Sequence, residues 1–211
     1  MNAGIFGGTF DPPHTGHLIV AQDAAAALGL DRVLFIPAAQ PPHKRGLVAT
    51  PAPVRARMTE LAIQDDPRFS LETTELERDG PSYSVDTLRD LTRRFPDAEW
   101  TLLMGADQYA EFPGWREPES IRRLARLAVL TRAGTDGAGL DGAGAAAWRP
   151  RAEPLDDGAL AVAVTRIDVS STAIRARVAA GLPVRYLVPP AVEAFIIEHR
   201  LYARNGPDVA G

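Results

Sequence analysis

The chain has 211 residues, 45% of them hydrophobic and 24% charged, which fits one soluble globular domain able to bury roughly 70% of its unfolded surface. Its 23 Lys and Arg against 27 Asp and Glu give a net charge of −4, which argues against a general nucleic-acid or membrane-surface binder. No run approaches the roughly 20 apolar residues of a membrane span and the N-terminus lacks a secretory pattern, so cytoplasm is the expected compartment. The absence of cysteine removes disulfides, thiolate chemistry and Cys-ligated metal, leaving any metal to oxygens or to four histidines, His14, His17, His43 and His199.

Residues 3 to 6 read as a short buried strand that runs into Gly7 and Gly8, and GHLIVAQDAAAALGL from Gly16 reads as a helix closed by Gly29. RVLFIP is a continuous apolar strand of the kind covered on both faces. Thr50 and Pro51 start a second helix, with Val54, Met58, Leu61 and Ala62 at helical spacing. FSLETTE then predicts a strand, SVDTLRDLTRRF a helix with Val85, Leu88 and Leu91 on one face, EWTLLMGAD a strand ending at glycine, residues 116 to 125 a helix, and RLAVLTR a strand. Residues 133 to 147, rich in Gly and Ala, read as a flexible loop. Beyond it come a strand around AVAVTRIDV, a helix STAIRARVAAG capped by Gly181, and a last helix opened by Pro189 and Pro190, on which His199 is a packing residue; the tail NGPDVAG reads as frayed. This alternation predicts an α/β fold with a mostly parallel central sheet flanked by helices. Residues 1 to 211 form one domain in this reading, with 165 to 204 as a small C-terminal helical part.

The stretch GGTFDPPHTGH occupies the first strand-to-helix turn, which in such a sheet lies beside the ligand crevice. Glycines there permit close approach to the backbone, and a helix N-terminus favours anions. The spacing is neither GxGxxG nor GxxxxGK[ST], so hydride-transfer and P-loop sites are unsupported. His14 and His17, three residues apart at the helix start, can face one ligand and donate to a phosphoryl group. A second anion site is suggested by VSSTAIRAR, where Ser170 or Ser171 caps a helix and Arg175 lies four residues beyond Ser171. Alone, this segment reads more simply as a capped helix with a solvated arginine. Two such helix starts suit a ligand with several phosphates.

GGTFDPPHTGH resembles the (T/H)xGH signature of the nucleotidyltransferase superfamily, and SSTAIR resembles a second signature of its nicotinate-mononucleotide adenylyltransferase family. The similarity extends through PPHK at 41 to 44, PSYSVDTL at 81 to 88, MGADQ at 104 to 108 and YLVPPAVEAFIIEHRLY at 186 to 202. It implies a Rossmann-like nucleotidyltransferase fold and an enzyme that joins ATP and nicotinate mononucleotide into deamido-NAD and pyrophosphate, by direct attack and with Mg2+ carried on the ATP phosphates. No protein-held metal is expected.

By the same resemblance, His14, His17 and Arg175 are the catalytic residues, and Gly8, Thr9, Phe10, Gly105, Asp107 and Ser171 join them around ATP. Lys44 adds charge to the phosphates. Trp115 stacks on the pyridine ring, and Ser84 stands where relatives commonly have Thr, with Tyr83 a further candidate for the acceptor pocket. Ser84 would also serve as a helix N-cap. Rival readings are transfer to nicotinamide mononucleotide or phosphopantetheine, or a non-catalytic nucleotide sensor. A homo-oligomer is compatible with all of them.

Overall fold

A computed structural model describes residues 1–40, 50–132 and 150–203. Within them seven strands make one sheet in the order β3-β2-β1-β4-β5-β7-β6: β1 (Asn2–Gly8), β2 (Arg32–Pro37), β3 (Phe69–Leu71), β4 (Glu99–Gly105), β5 (Arg126–Arg132), β6 (Arg151–Pro154) and β7 (Leu160–Val164). Each neighbouring pair is parallel except β6 with β7. The helices are α1 (Thr15–Leu28), α2 (Ala52–Ile63), α3 (Ser84–Arg94), α4 (Ala106–Glu111), α5 (Pro118–Leu124), α6 (Ser171–Ala179) and α7 (Pro190–Glu198).

The strands are continuously apolar because alternate residues enter two different cores. Phe6, Phe35, Leu103 and Ala128 join one cluster, while their neighbours Ile5, Leu34, Leu102 and Val129 join the other. Successive side chains of a strand point to opposite faces, so both faces of this sheet are covered. The first cluster also takes Ile174, Val184, Val192 and Ile196, which fixes α6 and α7 to the same face as α1 and α2. On α3, Val85, Leu88 and Leu91 are fully buried, as their spacing predicts. Gly29 ends α1 in the left-handed region at φ 60°, and Gly181 follows α6 at φ 68°. His199, by contrast, is exposed at the end of α7 and stacks on Phe195.

Several boundaries differ from the predicted ones. β3 stops at Leu71 instead of running to Glu75, because the Glu72 carboxylate turns back to accept the Thr74 N–H at 3.0 Å and also binds Arg94. β7 ends at Val164 because the next N–H, of Thr165, leaves the sheet for the buried carboxylate of Asp23 at 2.7 Å. The short helix α4 and the strand β6 have no counterpart in the sequence pattern. α4 follows Gly105, whose N–H is accepted by the Gln108 side chain, a capping arrangement hidden in a sequence that reads as a strand end. The predicted loop 133 to 147, Lys44 and the tail NGPDVAG lie outside the described residues. Among the described residues no helix is long and apolar enough to cross a membrane.

Candidate active site

Strand order runs outward from β1 to β2 and β3 on one side and to β4 and β5 on the other. Adjacent strands whose connections leave in opposite directions open a crevice at their carboxyl ends. Here those ends are Gly8 on β1 and Gly105 on β4, and a cavity of about 700 Å³ lies over them. That volume is within the range of nucleotide-sized pockets. Its lining includes Gly8, Thr9, Phe10, His14 and His17 from the end of β1 to the start of α1, Gly105 at the end of β4 and Asp107 beyond it, Tyr83, Ser84 and Trp115, and Ser171. Every described residue that the sequence proposes for the site lines this cavity except Arg175.

The first turn owes its shape to packing. Phe10 has φ 50°, a left-handed conformation costly for a bulky residue, and its ring is 2% exposed against Phe6, Phe35 and His17. A Cβ on Gly8 would meet that ring at 2.8 Å, so Gly8 is required by Phe10 beneath it as well as by any ligand above. The hydrogen-bonding groups Phe10 offers are those of its backbone.

His14 is the N-cap of α1 and His17 stands three residues on; their rings stack with centroids 3.6 Å apart. His17 Nδ1 accepts the His14 backbone N–H at 3.1 Å, which in a neutral imidazole leaves the proton on Nε2. Burial pushes the His14 imidazole down to about 4, so it is neutral at pH 7. Its Nδ1 is buried without a hydrogen-bond partner among the described residues, an unmet polar group of the kind that calls for a ligand or water. The helix start is less open than the sequence suggests, since the Thr15 N–H donates to the Leu187 carbonyl at 2.9 Å.

The SSTAIR helix meets this turn directly. Ser170 is the N-cap, its Oγ accepting the Ala173 N–H at 3.2 Å, which frees Ser171 to donate to the Pro12 carbonyl at 2.8 Å. Arg175 Nη1 donates to the Asp11 carbonyl at 2.7 Å. Arg175 thus reaches back to the first turn without lining the cavity, and its guanidinium is partly engaged by backbone.

The opposite wall is formed by residues 82 to 84 and by Trp115. Tyr83, not Ser84, is the N-cap of α3, so the Ser84 hydroxyl is not spent on capping, and Ser84 lines the cavity as the first helical residue. The Arg116 guanidinium lies over the Tyr83 ring at 4.8 Å. Trp115 packs on Phe112 with its Nε1 buried and unpartnered among the described residues. Asp107 is exposed in the first turn of α4, and its carboxylate occupies the space that a side chain at Gly105 would need.

Sequence reasoning missed the groups that hold these walls. Arg55 on α2 is 1% exposed and donates only to backbone carbonyls. Asp11 is buried and accepts the Tyr202 hydroxyl at 2.7 Å. Glu75 is buried in the cavity wall, where it accepts the Thr87 hydroxyl at 2.7 Å, and burial raises its pKa. A charged residue inside a helix pattern, as Arg55 is, looks solvated until its neighbours are known. The partners of Arg55, carbonyls of Thr9 and Ala38 among them, carry no side-chain signal at all.

Residues 5–177 match the cytidylyltransferase-like family model. The chain is 43% identical to the "Probable nicotinate-nucleotide adenylyltransferase" of a Thermus thermophilus strain, over 96% of this chain and 100% of that protein. It is 45% identical to the protein of that name from Thermomicrobium roseum, over 94% and 90%. Among solved structures, Plasmodium falciparum nicotinic acid mononucleotide adenylyltransferase complexed with NaAD shares the fold at TM-score 0.69 and 17% identity, covering 95% of this chain and 97% of that one. With a family model spanning most of its length and full-length relatives above 40% identity, the chain belongs to the cytidylyltransferase-like family, in its nicotinate-nucleotide adenylyltransferase branch.

Proposed function

We propose that this protein transfers the adenylyl group of ATP to the 5′-phosphate of nicotinate mononucleotide, giving deamido-NAD and pyrophosphate in NAD biosynthesis. A phosphate oxygen of the mononucleotide bonds to the α-phosphorus, and the bond from that phosphorus to the bridging oxygen breaks, its electron pair leaving with pyrophosphate. The observation that carries this reading is that one cavity joins the stacked His14–His17 pair and Ser171 on one wall to Tyr83, Ser84 and Trp115 on another. Full-length relatives named for the same reaction support it.

Phosphoryl transfer asks a protein mainly for positioning and charge stabilisation. The Nε2–H of His17 donates to the reacting phosphate, and the neutral His14 imidazole, with its unmet nitrogen, takes a second oxygen. Gly8, Thr9 and Phe10 offer backbone groups, Ser171 and Arg175 hold the leaving phosphates, and Gly105 and Asp107 bound the nucleotide. Trp115 stacks on the pyridine ring, while Ser84 and Tyr83 meet its carboxylate. Lys44, outside the described residues, is assigned to the phosphates from the sequence alone. When bound to the ATP phosphates, magnesium would supply charge neutralisation there; among the described residues no group of three His, Asp or Glu side chains is placed to hold a metal ion. The chain acts as one cytoplasmic domain in which residues 165 to 204 are a helical part.

Chromatography of a reaction with ATP and nicotinate mononucleotide should show deamido-NAD and equimolar pyrophosphate. With ATP made chiral at the α-phosphorus, inversion supports the single displacement; retention would require a covalent intermediate and overturn it.

A further inference from the structure

The reaction as described gives Arg55 no part, yet Arg55 is the largest fully buried side chain among the described residues. Its Nε donates to the Thr50 carbonyl at 3.0 Å, Nη1 to Thr9 at 2.6 Å, and Nη2 to Ala38 at 2.7 Å and Ala39 at 3.3 Å. These carbonyls come from three segments: the turn after β1, the segment after β2 and the entry to α2. Burial works against its charge, and Asp11, then Tyr202, work for it. A guanidinium is expensive to bury unless its donors are nearly all satisfied, and an apolar side chain of similar volume would fill the space more cheaply. The planar fork is suited to what is found, several carbonyls held at once in fixed directions.

In a trans peptide the C=O and the following N–H point opposite ways, and the cis bond here is Asp11-Pro12, outside the peptides in question. Each carbonyl that Arg55 takes therefore aims the next N–H away from it. After β2 the result is visible: Ala38 and Ala39 give their carbonyls to Arg55, and the N–H groups of Ala39 and Gln40 both donate to Ser82 Oγ, at 3.1 and 3.4 Å. After β1 the same geometry holds the Thr9 carbonyl, and the N–H it turns outward is that of Phe10. That N–H has no hydrogen-bond partner among the described residues, and Thr9 and Phe10 both line the cavity.

We propose that Arg55 is a positioning residue of the phosphate site, which by holding the Thr9 carbonyl fixes the Phe10 N–H as a donor to a nucleotide phosphate. The inference rests on the adenylyl-transfer reading for the identity of that anion. It also accounts for the left-handed φ of Phe10, since a backbone held on one side by Arg55 and anchored below by a buried ring has little freedom to relax.

The test combines the wild-type protein with Arg55→Lys and Arg55→Gln. In wild type, ATP should move the Phe10 amide proton downfield while leaving those of Ala39 and Gln40, already bonded to Ser82, in place. In a variant shown by thermal unfolding to be folded at the assay temperature, kcat for adenylyl transfer should fall at least about 10-fold, with the Phe10 shift reduced. A brace that is only structural would lower the melting temperature and leave kcat of the folded fraction unchanged, and that result overturns the proposal. So does a wild-type Phe10 amide that ATP does not move, whatever the variants do. Failure of wild type to form deamido-NAD would instead reject the adenylyl-transfer reading, a separate outcome.

Discussion

Around the cavity, the wall from Thr9 to His17 is held by buried polar groups, whereas the wall of residues 82 to 84 with Trp115 has one buried polar pair behind it, Glu75 with Thr87, and presents half-exposed side chains. On the first, Asp11, His14 and Arg55 are each less than 10% exposed; Arg55 donates to backbone carbonyls, Asp11 accepts the hydroxyl of the half-buried Tyr202, and His14 stacks on His17. On the second, Tyr83, Ser84 and Trp115 are intermediate in burial, and the charges beside them, Arg89, Arg116 and Asp86, pair at 3.6 to 3.7 Å with much of each side chain in solvent. Exposed pairs of that kind contribute about 0 to 1 kcal/mol, whereas breaking a buried hydrogen-bonded charge costs several. The difference suits two tasks: phosphate chemistry needs donors that do not move, and acceptor choice needs a wall whose side chains can change without unfolding the site.

The sharpest way to break this comparison is at His17. His17→Ala removes the donor proposed for the reacting phosphate, and kcat should drop at least about 100-fold in a protein that remains folded. Steady-state rates together with a melting curve check it; an unchanged kcat would mean that the stacked pair serves only the helix start.

The pH dependence of folding is the next largest effect. His14 is held near 4 in the folded protein against 6.5 in an unfolded chain. The unfolded state therefore binds the proton first as pH falls. Stability contributed by the neutral, buried form is full above 6.5 and declines through the window from 6.5 to 4, by on the order of 3 kcal/mol. Denaturant midpoints measured across that window should fall, and His14→Asn should flatten the part of the slope that His14 causes.

Effects on the second wall should be smaller and confined to one substrate. Trp115→Ala should raise the KM for the mononucleotide about 10-fold, as loss of a stacked ring implies, with the KM for ATP nearly unchanged. An equal rise for both would show that Trp115 shapes the whole cavity. Ser84→Ala removes one hydroxyl worth about 1 kcal/mol, so the ratio of acid to amide mononucleotide turnover should fall by only several-fold. A ratio that does not move would take Ser84 out of acceptor recognition.

Much of this architecture is legible in the sequence because its signals are local. RVLFIP matches β2 over all of its residues, and Val85, Leu88 and Leu91 lie on the buried face of α3 that their spacing predicts. Gly181 sits at the left-handed position after α6. GGTFDPPHTGH and SSTAIR lie far apart in the chain yet meet through Ser171 and Arg175, a meeting that the resemblance to known nucleotidyltransferases implies. What stayed hidden depends on long-range partners. β7 stops where Asp23, on α1, captures the Thr165 N–H. Ser84 reads as an N-cap, but the cap falls on Tyr83. Arg55 and Glu75 look like surface charges in a one-dimensional pattern, and only the folded backbone brings carbonyls and hydroxyls to them. Gly8 reads as room for a ligand, and the structure adds the Phe10 ring as a second reason for it.

Pyrophosphate release by the wild-type protein, with ATP and in turn nicotinate mononucleotide, nicotinamide mononucleotide and phosphopantetheine, tests the central claim most directly. The account predicts the highest kcat/KM with the acid mononucleotide; a preference for phosphopantetheine, or no pyrophosphate with any of the three, would contradict it.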